Sequence, residues 1–192
     1  MPTLVFSTEV IRTWCDADAV CFDVDSTVCL EEGIDELADF CRAGQAVAQW
    51  TAKAMAGSIA FEQALAARLS LFKPSIDQLQ DCIEKRPPRI SPGIAELIEK
   101  IKARNADVYL VSGGFRQMIK KYRYKSLVMI GDGATDLEKY LKFMFTHMAW
   151  QARQPGGSDL FICYGGVQMR EAVARKADWV VSDFHELMAY LA

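Results

Sequence analysis

The stretch AVCFDVDSTV, residues 19–28, decides the fold. Its apolar run reads as a strand over 19–25 that ends in two aspartates two positions apart, Asp23 and Asp25. Period-2 geometry points both carboxyl groups the same way, at the carboxyl edge where open α/β sheets bind ligands. Four further runs read as strands: DVYLVS (107–112), SLVMIGD (126–132), DLFICYG (159–165) and DWVVS (178–182). They alternate with helical patterns, the mark of an α/β fold with a parallel sheet. Between the first two strands lies a helical tract over about 34–86, ended by RPPRISPG (86–93) before the helix IAELIEKIKARN. That tract is too long for one crossover helix. The expected architecture is therefore a Rossmann-like core over 1–30 and 90–192, with a helical cap over 31–89 inserted after the first strand.

Bulk properties narrow the function. A chain of 192 residues, 51% hydrophobic and 24% charged, fits a globular protein with a sizeable core. A net charge of −3 argues against nucleic acid or an anionic membrane as partner. Six cysteines without a C-x-x-C pair and only two histidines give no zinc signature and no disulfide framework, so reduced thiols are expected. No apolar run reaches the ~18 residues of a membrane span. The first residues, MPTLVFSTEVIRTWCDADAV, lack a secretory or transit-peptide character, so the reading is a soluble, intracellular, cytoplasmic protein.

The carboxylates carry the chemistry. GDGATD adds Asp132 at another strand end and Asp136 one helical turn later. Two unit charges ~4 Å apart repel by about 4 kcal/mol at an effective dielectric of 20, so four converging carboxylates call for a cation. Any one of them could be a turn former or helix N-cap. All four at strand ends favour a metal site, and oxygen-only ligands favour Mg²⁺ over zinc. After VYLV, Ser112 and Gly113 offer a hydroxyl and free backbone N–H groups at a helix start, which suits an anion such as phosphate. In AFEQALAARLSLF, Phe61, Leu65, Arg68 and Phe72 share one helical stripe, so a guanidinium stands on an apolar face. Its partner there is open: a protein carboxylate, solvent reached by snorkelling, or a ligand anion.

DVDST, SGG and GDGATD together resemble the haloacid dehalogenase superfamily. ADAVCFDVDSTVCLEEGIDELA, MAGSIAFEQALAARLSLFKPS, RPPRISPGIAELI and YLVSGGFRQMI resemble its phosphoserine phosphatase family, in a plant-like form. The resemblance implies a phosphatase acting on O-phosphoserine in serine biosynthesis. It makes Asp23 the nucleophile and Asp25 the general acid and base. It places Mg²⁺ on Asp23, Asp25, Asp132 and Asp136, and the phosphate on Ser112, Gly113 and Thr135. It assigns Glu32 to the substrate ammonium and Arg68 to its carboxylate, with Met55 and Phe61 lining the pocket. It also implies a possible homodimer, and a chloroplast setting if a transit peptide precedes the sequence given.

Two departures stand out. The family carries an extra strand, a hairpin and a lysine-bearing helix between SGGFRQMI and MIGDG, and here that segment is missing near 122–125. The sheet should therefore be truncated. Lys125 precedes its strand and lies ~16 Å from the far edge. Lys120 and Lys121 lie roughly 11 Å into the following helix. Lys139 is the least excluded substitute. Loss of a placed charge stabiliser typically costs 10²–10³ in rate, so impaired turnover is expected. The family also places the strands ending at Ser112 and Asp132 on opposite sides of the Asp23 strand, which leaves a short link to cross it. The second departure is KYLKFMFTHMAWQ (139–151), an apparent insertion expected to form a helix on the core.

Overall fold

The computed structural model describes residues 7–55, 61–111, 126–133 and 159–191. Within these the chain divides into two compact units, Met1–Val28 with Ser91–Ala192, and Cys29–Ile90.

The first unit is built on five parallel strands: β1 Ala19–Asp23, β2 Asp107–Val111, β3 Leu127–Gly131, β4 Leu160–Tyr164 and β5 Trp179–Val181, in the order β2-β1-β3-β4-β5. Every residue of β1 and β4 is buried, as expected of strands covered on both faces. β2 is an edge strand and is partly exposed. Around the sheet lie α1 Thr8–Cys15, α6 Ile94–Ala103, α7 Glu171–Ala174 and α8 Phe184–Met188. α6 buries Ile94, Leu97 and Ile101 at helical spacing and packs on α8, whose Phe184 and Leu187 are also buried. Phe184 stacks on Tyr164 of β4 at 4.1 Å, and Trp14 of α1 donates its indole N–H to the Leu187 carbonyl at 3.1 Å. Gly93 precedes α6 with φ +78°, and a Cβ there would lie 3.1 Å from the His185 ring, so both backbone and space call for glycine.

The second unit is helical: α2 Gly33–Phe40, α3 Gly44–Met55, α4 Phe61–Phe72 and α5 Ile76–Lys85. α2 packs on α3 and α3 on α4. α5 opens with a capping box, in which Ser75 accepts from Gln78 N–H and the Gln78 side chain accepts from Ser75 N–H. Cys29 and Ile90 close this unit with an antiparallel bridge.

The expected α/β fold with a parallel sheet holds. The strands fall where the apolar runs lie, and β2 and β3 flank β1 on opposite sides. Among the described residues no disulfide forms. Among the described residues no helix is long and apolar enough to cross a membrane. One expectation needs correcting. The strand reaches Asp23, not Asp25, because pairing ends at Phe22 on the β3 side and at Asp23 on the β2 side, and Val24–Val28 coils into a turn. The link 112–125 and the apparent insertion 139–151 lie outside the described residues.

Candidate active site

Asp23 ends β1, an interior strand, and is 8% exposed. Register pairs Phe22 with Ile130, so Asp23 stands level with Gly131 and Asp132 follows one residue further along the adjacent strand. Neighbouring strands lie about 4.8 Å apart, which puts the two Cα atoms roughly 6 Å from one another. Asp132 is 2% exposed. Two buried aspartates thus end adjacent strands at one edge of the sheet. Val111 pairs with Asp23 on the other side. Ser112 and Gly113 follow Val111 in the chain but lie outside the described residues, as do Thr135 and Asp136.

The turn after β1 is costly to form. Ser26 adopts φ 56°, ψ 12°, a left-handed conformation that costs an L-residue roughly 1–2 kcal/mol. The Thr27 hydroxyl is buried and finds no hydrogen-bond partner among the described residues. Strain and an unsatisfied polar atom kept together next to a buried carboxylate are typical of a working loop. Asp25 sits inside this turn, partly buried, with φ −70° and ψ 132°. The alternation argument therefore does not govern its direction.

Asp132 does not stand without a counter-charge. Arg170, at the N-cap of α7, donates from Nη1 to Asp132 Oδ2, and its other terminal nitrogen donates to Gln168 Oε1 at 3.0 Å. The Arg170 side chain is 11% exposed. Sequence reading missed this residue, since a survey of lysines passes over an arginine. The usable signal was a cation at the start of a helix just beyond the end of β4, at the same sheet edge as the acids.

The donor set suits a hard cation. Asp23 and Asp132 could offer carboxylate oxygens and Asp25 a backbone carbonyl, with no sulfur or imidazole in the set. Among the described residues no cluster of three or more His, Cys, Asp or Glu side chains forms. Mg²⁺ needs few protein ligands and keeps several waters, so these oxygens fit it.

In the helical unit, Arg68 of α4 is 3% exposed. Its Nε donates to the Ala64 carbonyl at 3.3 Å and its Nη1 to the Thr51 hydroxyl at 3.2 Å. Thr51 in turn donates to Asp35 Oδ1 at 2.6 Å. Among the described residues Arg68 forms no ion pair, and its burial leaves it no reach to solvent by snorkelling. Glu32 is the N-cap residue of α2 and is partly buried. Met55 ends α3 and Phe61 begins α4; their side chains lie outside what is described.

Comparison with known proteins identifies the family. Residues 17–127 match the haloacid dehalogenase-like hydrolase family. The chain is 48% identical to a chloroplastic phosphoserine phosphatase of Arabidopsis thaliana, covering 96% of this chain and 75% of the relative. It is 36% identical to a phosphoserine phosphatase of Rattus norvegicus, covering 98% of this chain and 99% of that one. The solved structure of a phospho-aspartyl intermediate analogue of phosphoserine phosphatase superposes with a TM-score of 0.70 at 23% identity, over 91% of this chain and 99% of that chain, which speaks for the fold. The Arabidopsis alignment spans 235 positions, 43 more than the 192 residues here, so at least that many positions have no counterpart in this chain. The chain belongs to the phosphoserine phosphatase family of the haloacid dehalogenase-like hydrolases.

Proposed function

We propose that the chain hydrolyses O-phospho-L-serine to L-serine and phosphate through an aspartyl-phosphate on Asp23. The observation that carries this reading is the buried pair Asp23 and Asp132 at adjacent strand ends, beside a strained turn that holds Asp25. The Asp23 carboxylate attacks phosphorus as the bond to the serine oxygen breaks, and Asp25 gives that oxygen its proton. Asp25 then takes a proton from water, whose oxygen attacks phosphorus and releases Asp23. Mg²⁺, held by Asp23, the Asp25 carbonyl, Asp132 and Asp136, supplies charge neutralisation at the phosphoryl oxygens. Ser112, Gly113 and Thr135 hold the phosphate.

The sheet unit is the catalytic core in this reading, and the helical unit is the cap that selects the amino acid. There Glu32 meets the ammonium and Met55 and Phe61 line the pocket. Arg68 takes the carboxylate, which explains a buried guanidinium whose partners among the described residues are all neutral. A homodimer and, after the Arabidopsis relative, a chloroplast setting belong to the same reading.

A second reading has one observation in its favour, the 43 or more alignment positions this chain lacks. If they include the family's lysine-bearing helix, the chain is a catalytically weak variant that binds phosphoserine or the intact enzyme without turnover. One assay separates the two. Phosphate release from phosphoserine with Mg²⁺ is measured for the parent chain and for Asp23→Asn. Turnover that the substitution abolishes, and that EDTA removes, supports the enzyme. Equal background in both rejects it.

A further inference from the structure

Arg68 is one end of a polar layer that crosses three helices. Asp35 lies in the first turn of α2, Thr51 in α3 and Arg68 in α4. One helical turn from each stand Ala38, Val47 and Ala64, all fully buried. The three helices therefore meet through a layer of small apolar residues beside a layer of three polar ones. The polar layer has a direction. A hydroxyl has one proton to give, and the Thr51 oxygen lies 2.6 Å from the Asp35 carboxylate but 3.4 Å from its own helix's Val47 carbonyl. The short, charge-assisted bond takes the proton, and the hydroxyl lone pairs remain to accept from Arg68 Nη1.

We infer that Asp35 and Thr51 form a positioning relay that orients the Arg68 guanidinium for the carboxylate of the substrate. The inference rests on the reading of Arg68 given above. A direct Asp35–Arg68 ion pair would fill the guanidinium and compete with an incoming carboxylate. The interposed hydroxyl lets Asp35 hold Thr51, and Thr51 hold one N–H of Arg68, while Nη2 and the second Nη1 hydrogen have no hydrogen-bond partner among the described residues. Those are the donors a carboxylate needs for a two-point grip. Burial of Thr51 and Arg68, at 7% and 3% exposure, keeps water from loosening the arrangement.

Equilibrium binding tests this without depending on turnover. The full chain carrying Asp23→Asn is titrated by calorimetry in Mg²⁺ with O-phosphoserine and with O-phosphoethanolamine, which lacks the carboxylate. Thr51→Val should weaken phosphoserine binding about tenfold and leave phosphoethanolamine within about twofold, while Thr51→Ser restores the parent affinity. Arg68→Ala is the control. If it leaves phosphoserine affinity unchanged, the role of Arg68 itself is wrong. If Arg68→Ala weakens binding and Thr51→Val does not, only the relay is overturned. Equal weakening of both ligands by Thr51→Val also overturns it, because that is the mark of a merely structural threonine. Should the Asp23→Asn chain bind neither ligand, the proposed function and the relay both fall.

Discussion

Two arginines, one in each unit, are buried in opposite ways. Arg170 in the sheet unit meets the carboxylate of Asp132, and the two charges answer one another. Arg68 in the helical unit is more deeply buried yet meets a hydroxyl and a carbonyl. A charge balanced by the fold belongs to the fold, and its loss leaves a buried partner exposed to the full desolvation cost. A charge held by neutral dipoles is kept at a net cost, and the missing anion must come from elsewhere. The contrast separates a cation paired with a buried aspartate from a cation held by neutral groups among the described residues.

The largest expected effect tests the balanced side. Arg170→Met should destabilise the chain by about 3–5 kcal/mol in urea unfolding, since Asp132 is then buried without its arginine. Adding Asp132→Leu should restore most of that stability but no phosphatase activity. A double variant as unstable as the single one would show that the pair is not what matters.

Next comes the unbalanced side, with the opposite sign. Arg68→Met keeps volume and removes an uncompensated charge, so unfolding free energy should stay level or rise by roughly 1 kcal/mol. Phosphoserine binding is lost all the same. A drop of more than about 2 kcal/mol would reveal a counter-charge and erase the distinction between the two arginines.

The smallest effect comes from an exposed pair that neither balances a buried charge nor awaits one. Asp183 accepts from the His185 backbone N–H at 2.8 Å and lies 2.6 Å from its Nδ1. The backbone N–H first, and the ring second, hold the Asp183 carboxyl below its ordinary value of 3.8. The hydrogen bond to Asp183, then its charge, holds His185 above 6.5, with Glu96 at 3.7 Å adding to it. The raised histidine stabilises fully below 6.5 and loses that contribution as pH rises through its folded-state value. The depressed carboxyl stabilises fully above 3.8 and loses it as pH falls through its own. The difference in Tm between the parent and His185→Gln should therefore be widest between those two values and narrow on either side. A gap independent of pH would assign His185 to packing against Gly93 instead.

Much of the sheet was legible because its signals are local. Five apolar runs ending in Asp, Ser or Gly marked five strands, and the first carried its acid to the edge. Asp25 was misplaced because alternation was carried two residues too far. A left-handed Ser26 is invisible in a sequence that shows an ordinary Asp-Ser-Thr. The polar partners were hidden for another reason. Arg170 and Asp132 are 38 positions apart, and Thr51 stands 16 from Asp35 and 17 from Arg68. No local pattern joins residues at such separations.

The sequence by itself determined which residue types line the carboxyl edge, because strand periodicity, glycine turns and acid spacing act over a few bonds. It also marked Arg68 as a charge on an apolar face. Only the tertiary structure decided that Asp132 has a cationic partner and that Arg68 has none among the described residues. Charge balance is a property of distance in space, and only packing brings groups from separate helices and strands within reach of one another.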